Sequence, residues 1–224
     1  MKKFSLLILS LINAAVNAVL IAVSPRQLVP THWGIEGYAD GFSSKWLLMM
    51  LPAIPFIIGL GWLLFELFMR KSYSARENDK VAFKIVAGIF ALFLALDWFF
   101  LFASLNDARD LGDKVSFLSL MFMGILLIYT GNLMPKVKQN GVLGIRTYST
   151  LSDEAVWRKT HRFAGYLGVA CGGIIILMGI ICFFVKISPL VCVLLGAGIA
   201  LVGFAITPSI YASVIYRKIK ANKP

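Results

Sequence analysis

Six long apolar runs divide this chain, and they constrain its fold more than any other feature. The runs cover residues 4–23, 46–65, 85–105, 115–135, 163–185 and 187–216. Each has the roughly 20 residues that an α-helix needs to cross a bilayer core about 30 Å thick. Because lipid offers the backbone no hydrogen-bond partner, a spanning run of this kind adopts a helix. The sequence therefore predicts an all-α fold, a polytopic membrane bundle of six transmembrane helices.

Composition excludes the main soluble classes. Of the 224 residues, 59% are hydrophobic and 15% are charged, whereas a soluble domain carries about 25% charged residues. The net charge of +11 would suit a nucleic-acid-binding protein, but such a protein needs a basic stripe on a soluble surface. Here the basic residues lie between the apolar runs. We therefore expect the lipid bilayer as a partner and no direct contact with nucleic acid.

The distribution of Lys and Arg predicts the orientation. Seventeen of the 22 lie in the stretches 1–3, 66–84, 136–162 and 217–224, and five lie in the alternate connections. Basic connections stay on the cytoplasmic side, so both termini are predicted to be cytoplasmic, in a multi-pass protein of the cell (plasma) membrane. The first run, with 20 uncharged residues, is longer than the roughly 7–15 apolar residues of a signal peptide. We therefore expect it to remain as a span.

The domain organisation follows from these runs. We expect a single six-helix membrane domain over 1–224, with an N-terminal hairpin and structured outer loop in 1–69. The fourth and fifth helices, with the inner loop between them, occupy 115–185. Gly168 and Gly172 are spaced for close helix packing. Pro208 predicts a kink in the last run, or the point where that run leaves the hydrocarbon.

Asp97 is the ionisable residue that falls in the middle of a run. A carboxylate at that depth costs about 3 kcal/mol or more unless it is paired, hydrated or protonated, which makes it a functional candidate. Asp97 lies about 18 Å along its helix from Ile85, and Asn17 lies about 20 Å from Phe4, at 1.5 Å per residue. We therefore hypothesise that Asn17 hydrogen-bonds Asp97. Asn13 lies one turn away from Asn17 on the same face of the helix. Two roles stay open, a proton carrier and a polar link between helices.

The first outer connection, residues 29–41, holds three glycines, one proline and several aromatic residues. This composition is typical of a structured loop with tight turns. His32 and Trp33 either contact a ligand at the membrane surface or cap the helix ends. A lone His without a second ligand does not predict a metal site.

The inner connection between the fourth and fifth runs is the most distinctive segment. Ser152 before Asp153 and Glu154 predicts a helix N-cap with acidic residues in the first turn, and a helix that runs on into the fifth span. Anionic lipid attracts basic residues near the membrane at about 1 kcal/mol each, which accounts for the cations here. It does not account for the polar and small residues among them, namely Asn132, Pro135, Asn140, Gly144, Arg146 and Thr147.

No catalytic or cofactor motif accompanies these features. The sequence holds no P-loop, no H-E-x-x-H and no nucleophile next to a base, and His32 and His161 are predicted on opposite faces of the membrane. Cys171, Cys182 and Cys192 all fall in apolar runs and are expected to be buried free thiols, although Cys182 and Cys192 reach similar depth if their helices form a hairpin. We predict no enzyme, no cofactor and no metal.

The inner connection resembles the SdpI-like immunity-protein family. The resemblance rests on Met-Pro-Lys at 134–136, Gly-Ile-Arg-Thr at 144–147, Val-Trp at 156–157 and Thr-His at 160–161. One departure is Tyr148-Ser149, where the family usually has Pro-Trp. The outer connection and its helices resemble a small membrane domain of unknown function that often precedes that family's domain. Together the two resemblances cover most of the chain.

The resemblance implies immunity to a secreted, membrane-active peptide toxin, and a receptor role in which a cytoplasmic repressor is drawn to the membrane. It implies an outer surface that meets toxin around Pro30, His32, Trp33, Gly37 and Asp40. It also implies an inner signature loop that signals or stabilises, containing Asn132, Pro135, Lys136, Asn140, Gly144, Arg146, Thr147, Trp157, Thr160 and His161. The alternative is a small proton-linked transporter or permease that uses Asp97.

Overall fold

The structure is a computed structural model that describes residues 2–34, 36–68, 73–112 and 114–221, with side chains for all of these except 2–3 and 73–77. Within these ranges six helical stretches are long and apolar enough to cross a membrane. They are Phe4–Val23, Lys45–Phe68, Asn78–Leu105, Lys114–Lys136, Glu154–Val185 and Pro189–Ala221. The predicted six-helix, multi-pass membrane protein is confirmed. The predicted domain boundaries at residues 1, 69 and 224 lie outside the described residues.

Helices and a short hairpin make up the described chain. The elements are α1 (Lys2–Val23), β1 (Leu28–Trp33), β2 (Ala39–Ser44), α2 (Ala53–Phe68), α3 (Tyr73–Leu105), α4 (Lys114–Leu133), α5 (Tyr148–Ser152), α6 (Glu154–Val185), α7 (Pro189–Ile199) and α8 (Thr207–Ala221). Packing groups them into a first unit, Met1–Arg70 with Val86–Val115, and a second unit, Lys71–Ile85 with Ser116–Pro224. The single domain over 1–224 stays a prediction.

In the first unit, α1 packs closely against α2. A Cβ on Gly59 would lie 3.0 Å from the backbone of Leu6, so the two helices approach at a residue without a side chain. The buried Lys45 closes the end of α1, because its Nζ donates to the carbonyl oxygens of Ala22 at 3.1 Å and Ser24 at 2.7 Å. A cation at a helix C-terminus also complements the helix dipole.

The outer connection forms an antiparallel hairpin of β1 and β2, in which Pro30 pairs with Phe42. Its turn is closed by bonds from the Gly34 amide to the Tyr38 carbonyl and from the Gly37 amide to the Gly34 carbonyl, both 2.8 Å. Gly37 has φ +84°, and a Cβ there would lie 2.5 Å from the Gly112 carbonyl oxygen. The structured loop with tight turns is confirmed and is a two-stranded sheet added to an otherwise helical fold.

Five glycines lie where α4 packs against α6 in the second unit. A Cβ on Gly172 would lie 2.5 Å from the carbonyl oxygen of Gly124, and one on Gly165 would lie 2.9 Å from that of Gly131. Gly168 likewise approaches Gly131, at 2.9 Å. The expected close packing at Gly168 and Gly172 is confirmed, and its partner is α4.

The last span is helical throughout but changes its hydrogen-bonding pattern before Pro208. A π-helical segment, Ala200–Ile206, joins α7 to α8. Pro208 has no amide hydrogen to donate to the preceding turn, and Thr207 Oγ1 donates to the Val202 carbonyl at 2.7 Å. Pro208 therefore marks a local distortion, and the helix continues beyond it to Ala221.

The expectation of three free thiols is wrong for two of the cysteines. Cys182 in α6 and Cys192 in α7 form a disulfide, with their Cα atoms 6.6 Å apart, and Cys171 is a buried free thiol. The physical reason is the tight connection: Lys186 adopts a left-handed conformation (φ 54°, ψ 45°) and its amide donates to the Cys182 carbonyl. This reversal of the chain places Cys182 beside Cys192, an arrangement that the sequence had left open.

Candidate functional site

Asp97 lies in a buried polar cluster of the first unit. Its Oδ2 accepts a 2.5 Å hydrogen bond from Asn13 Nδ2 and a 3.5 Å one from Asn17 Nδ2. Trp98 Nε1 donates to Asn13 Oδ1 at 2.9 Å, which orients that amide. Asp97 is 3% exposed and Asn17 is fully buried. The hypothesised contact between Asn17 and Asp97 is present, but it is long, and Asn13 makes the shorter bond.

Two oxygen atoms of the cluster, Asp97 Oδ1 and Asn17 Oδ1, have no hydrogen-bond partner among the described residues. A buried acceptor without a partner costs about 1–3 kcal/mol. Both roles left open by the sequence, a proton carrier and a polar link between helices, fit this geometry.

The outer motif divides into exposed and structural residues. His32 and Asp40 are exposed and joined by a 2.5 Å contact between His32 Nδ1 and Asp40 Oδ1. Trp33 is half-buried and donates from Nε1 to the Ala108 carbonyl at 2.8 Å, whereas Pro30 is fully buried. His32 and Asp40 are thus exposed residues of the motif, and Pro30, Trp33 and Gly37 shape the hairpin that presents them.

Three exposed side chains of the same hairpin region were not predicted from the sequence. Tyr38 is 62% exposed and Phe42 is 40% exposed, and the Arg109 guanidinium lies 5.4 Å from the centre of the Phe42 ring. Phe42 was predictable from the sequence, since an alternating strand pattern places Asp40 and Phe42 on one face. Arg109 was not predictable in this way, because the loop after α3 brings it there.

Asn140 folds the first half of the inner signature loop. Its Oδ1 accepts from the amides of Val142 at 2.8 Å and Leu143 at 2.7 Å, and its Nδ2 donates to the Lys138 carbonyl at 2.7 Å. A side chain that bonds its neighbours in this way replaces the backbone pairing of a regular element. Asn140 is buried, so its role here is to hold the turn.

Thr147 and Thr150 form a capping box that starts α5. The Thr150 amide donates to Thr147 Oγ1 at 3.2 Å, and the Thr147 amide donates to Thr150 Oγ1 at 2.9 Å. Gln139 Nε2 then donates to the carbonyls of Thr150 at 2.7 Å and Leu151 at 2.9 Å, at the other end of the short helix. These bonds tie the two halves of the loop together.

The predicted cap of the following helix is displaced by one residue. Asp153, not Ser152, caps α6: its Oδ1 accepts from the amides of Ala155 and Val156. Ser152 ends α5 instead, and its Oγ donates to the Tyr148 carbonyl. The carboxylate has the advantage over a hydroxyl because it complements the positive end of the helix dipole. The predicted helix running into the fifth span is confirmed as α6.

Trp157 and His161 anchor the loop to α6. Trp157 Nε1 donates to the Val137 carbonyl at 2.8 Å, and its ring stacks on His161 with centroids 4.0 Å apart. The Ile145 amide donates to His161 Nε2 at 3.0 Å, and His161 Nδ1 lies 2.9 Å from the Trp157 carbonyl. Because Nε2 accepts, the proton of the neutral imidazole belongs on Nδ1.

Gly144 and Arg146 complete the loop around this anchor. Gly144 has φ +108°, and a Cβ there would overlap His161 Nε2. The exposed Arg146 folds back, donating from a terminal guanidinium nitrogen to the Gly141 carbonyl at 2.7 Å. Thr160 is fully buried, and its Oγ1 has no partner among the described side and main chains. Of the signature residues, those that remain exposed are Asn132, Pro135, Lys136 and Arg146.

Three residues that hold this loop were not predicted from the sequence: Gln139, Thr150 and Asn78. Asn78, in the first part of α3, accepts from the Lys138 amide at 2.8 Å and donates to its carbonyl at 3.1 Å. Gln139 and Thr150 lay within the motif and could have been included with it. Asn78 gave no signal, because its contact joins segments 60 residues apart.

The described residues contain no group of three or more His, Cys, Asp or Glu side chains placed to hold a metal ion.

Comparison with known proteins supports the motif-based resemblance. Residues 136–209 match the SdpI/YfhL protein family, and residues 6–55 match a domain of unknown function, DUF1648. Immunity protein SdpI of Bacillus subtilis (strain 168) is 27% identical over 175 residues, which covers 78% of this chain and 80% of that protein. No solved structure matches the chain.

Proposed function

We propose that the chain belongs to the SdpI-like family of membrane proteins, which it matches over residues 136–209, and that it is an immunity protein that protects a cell against a secreted, membrane-active peptide toxin. It acts by binding and carries out no catalysis. The observation that carries this proposal is the similarity to an immunity protein over 78% of the chain, on both sides of the third span.

The outer hairpin is the surface proposed to meet the toxin. Exposed aromatic and charged groups stand together on it: the His32–Asp40 pair, Tyr38, and Phe42 with Arg109. Aromatic residues and Arg are the side chains that most often dominate binding energies at interfaces. A membrane-active peptide carries apolar and polar groups on one chain. The aromatic side chains of the hairpin region suit the apolar groups, and its charged side chains suit the polar ones.

The inner signature loop is proposed to act as a rigid platform for a cytoplasmic repressor. Its buried polar residues are used in holding its own turns, as described for Asn140, Thr150 and His161. Exposed groups that a partner could contact include Arg146 and Tyr148, the latter 78% exposed. A platform with a fixed backbone loses little conformational entropy when a partner binds.

Survival of a toxin-sensitive bacterium tests the proposal. Cells expressing the protein are challenged with secreted membrane-active peptides from its source strain and close relatives, and membrane abundance is matched between variants. Wild type should protect. His32→Ala with Asp40→Ala should reduce protection by about tenfold or more if the pair is a binding hot spot. Asn106→Ala, at an exposed residue of the neighbouring connection, is the matched control and should protect fully.

Two outcomes of the survival experiment would contradict these proposals. Abundant, folded wild type that protects against none of these peptides would overturn the immunity function. Equal loss in the His32/Asp40 variant and the Asn106 control would overturn the assignment of the outer pair. The repressor role is tested separately: Arg146→Ala should abolish membrane recruitment of the repressor, and Lys159→Ala, an exposed cation outside the signature residues, should leave it intact.

A proton-linked transporter is the second candidate, favoured by the buried cluster around Asp97. Asp97→Asn keeps the shape of the side chain and removes its charge. A permease would lose transport while remaining folded, whereas an immunity protein that binds through its outer hairpin would keep its protection.

A further inference from the structure

A polar cleft of about 510 Å³ opens in the second unit beside the start of α6. Three of its lining side chains are the cations Lys136, Lys138 and Arg158; Glu154 is the acidic one, and it lies 3.5 Å from Arg158. The remaining lining residues are Pro135, Val137, Gln139 and Trp157. The volume falls in the range of about 300–1,000 Å³ that is common for small-molecule sites. The cleft therefore has the size and the charge for an anionic group.

The three cations lie at the depth of lipid headgroups. Lys136 and Lys138 follow the uncharged run 115–135 by one and three residues, and Arg158 precedes the run 163–185 by five residues. At 1.5 Å per residue, Arg158 lies about 7.5 Å outside the start of its apolar run. The headgroup layer is about 5–8 Å thick on each side of the hydrocarbon core.

Hydrogen bonds and packing contacts hold the walls of the cleft in place. Trp157 Nε1 bonds the Val137 carbonyl, Gln139 bonds the end of α5, and Pro135 packs on Gly165 of α6. A cleft whose walls are already fixed needs little rearrangement to receive a ligand, which limits the entropy lost on binding.

We propose that this cleft is a binding site for the phosphate of an anionic phospholipid headgroup. Basic pockets at the cytoplasmic ends of transmembrane helices bind such headgroups, and a headgroup in the bilayer reaches this depth without leaving the membrane. A site of this kind differs from a general attraction of basic residues to lipid, because three particular cations bind the headgroup and the neighbouring cations do not. Lys159 and Arg162 on α6 and Lys218 on α8 are exposed but do not line the cleft.

The test compares two variants of the full-length protein with equal charge. The cleft variant carries Lys136→Gln, Lys138→Gln and Arg158→Gln, and the control carries Lys159→Gln, Arg162→Gln and Lys218→Gln. Each is purified in a neutral detergent, stripped of lipid, and mixed with equal amounts of phosphatidylglycerol and phosphatidylcholine. Native mass spectrometry then counts the lipid that each protein retains. A parallel sample contains millimolar inorganic phosphate, which distinguishes a site for lipid from one for free phosphate.

Wild type and control should retain phosphatidylglycerol in preference to phosphatidylcholine, and the cleft variant should lose that preference by about tenfold or more, given three lost charges. Inorganic phosphate should not displace the lipid. Equal retention by the cleft and control variants, or no preference in wild type, would overturn the proposal and leave the cleft to a protein partner. Displacement by phosphate would overturn the lipid as the ligand. If the cleft variant unfolds, Arg158→Gln against Lys159→Gln gives the same comparison with one charge.

Discussion

Single polar side chains in the inner signature loop act mainly on the loop itself. Asn140 closes one turn, and His161 receives the Ile145 amide while it stacks on Trp157. A buried polar group of this kind is costly unless it is bonded, so each of these residues constrains its neighbours. This is why the motif contains Asn, Thr, Trp and His at fixed spacings although no catalytic chemistry is assigned to them.

Gly144→Ala tests this constraint at one position. Alanine is strained at φ +108°, and its Cβ would overlap His161 Nε2, so we expect destabilisation by about 1–3 kcal/mol and faster proteolysis of the loop. Gly141→Ala is the matched control, because its Cβ would meet nothing within 4 Å. Thermal unfolding in detergent measures both. Equal melting temperatures for the two variants would contradict the prediction.

The polar cluster around Asp97 supports a second residue-level prediction. Asn13 donates to Asp97 at 2.5 Å and Asn17 at 3.5 Å, so the coupling energy between Asn13 and Asp97 should be the larger, at about 1 kcal/mol. Double-mutant cycles of Asn13→Leu or Asn17→Leu with Asp97→Leu, unfolded with SDS in mixed micelles, give both values. A larger coupling for Asn17, or none for either residue, would show that the cluster is arranged differently.

At the scale of elements, glycines decide which helices pack together. The seam between α4 and α6 brings backbone against backbone at Gly124 and Gly172. Membrane helices have no hydrophobic driving force for association, so close packing of small residues takes its place.

Gly172→Ala should therefore destabilise the second unit by about 1–3 kcal/mol, because its Cβ would lie 2.5 Å from the Gly124 carbonyl oxygen, a backbone atom that cannot turn away. Gly173→Ala provides the control one residue along the same helix, since its Cβ would meet nothing within 4 Å. The readout is the midpoint of SDS unfolding. A shift of the same size in both variants would mean that helix propensity, not the seam, is responsible.

The connection between α6 and α7 gives a chemical prediction. With Cys182 and Cys192 joined, only Cys171 should react with a maleimide-polyethylene glycol reagent in denaturing, non-reducing conditions. After reduction all three thiols should react, and gel mobility counts them. Three reactive thiols before reduction would contradict the disulfide. Cys182→Ser serves as the control, with two reactive thiols in either condition.

At the scale of the whole molecule, the distribution of Lys and Arg and the disulfide agree. The predicted orientation puts the α6–α7 connection on the outer side, and disulfides persist in oxidising compartments outside the cytosol. The same orientation puts the hairpin outside and the signature loop inside, as the proposed function requires.

Labelling of intact cells tests that orientation. Tyr38→Cys and Tyr148→Cys place single thiols at residues that are 62% and 78% exposed, each in a Cys171→Ser background. A membrane-impermeant maleimide should label the Tyr38→Cys protein in intact cells and the Tyr148→Cys protein only after permeabilisation. Labelling of both in intact cells, or the reverse pattern, would overturn the predicted topology.

Much of the candidate site was predictable, but the roles of its residues were not. The motifs pointed to the outer and inner connections, and helix depth alone brought Asn17 to Asp97. Exposure separated the residues that can meet a partner, such as His32, from those that build the loop, such as Pro30. That separation depends on what packs around each side chain, and spacing along a sequence carries no such information.

The sequence by itself determined that this chain crosses the membrane six times, because a stretch of about twenty backbone units in lipid can satisfy its own hydrogen bonds as a helix. It also located both motifs through their residues. Only the tertiary structure decided that the outer loop is a hairpin, that Cys182 meets Cys192, and that Asn78 holds Lys138. Those contacts depend on the direction in which the chain reverses between two elements. That direction is set by a few backbone angles, and which residues it brings together appears only when the helices pack.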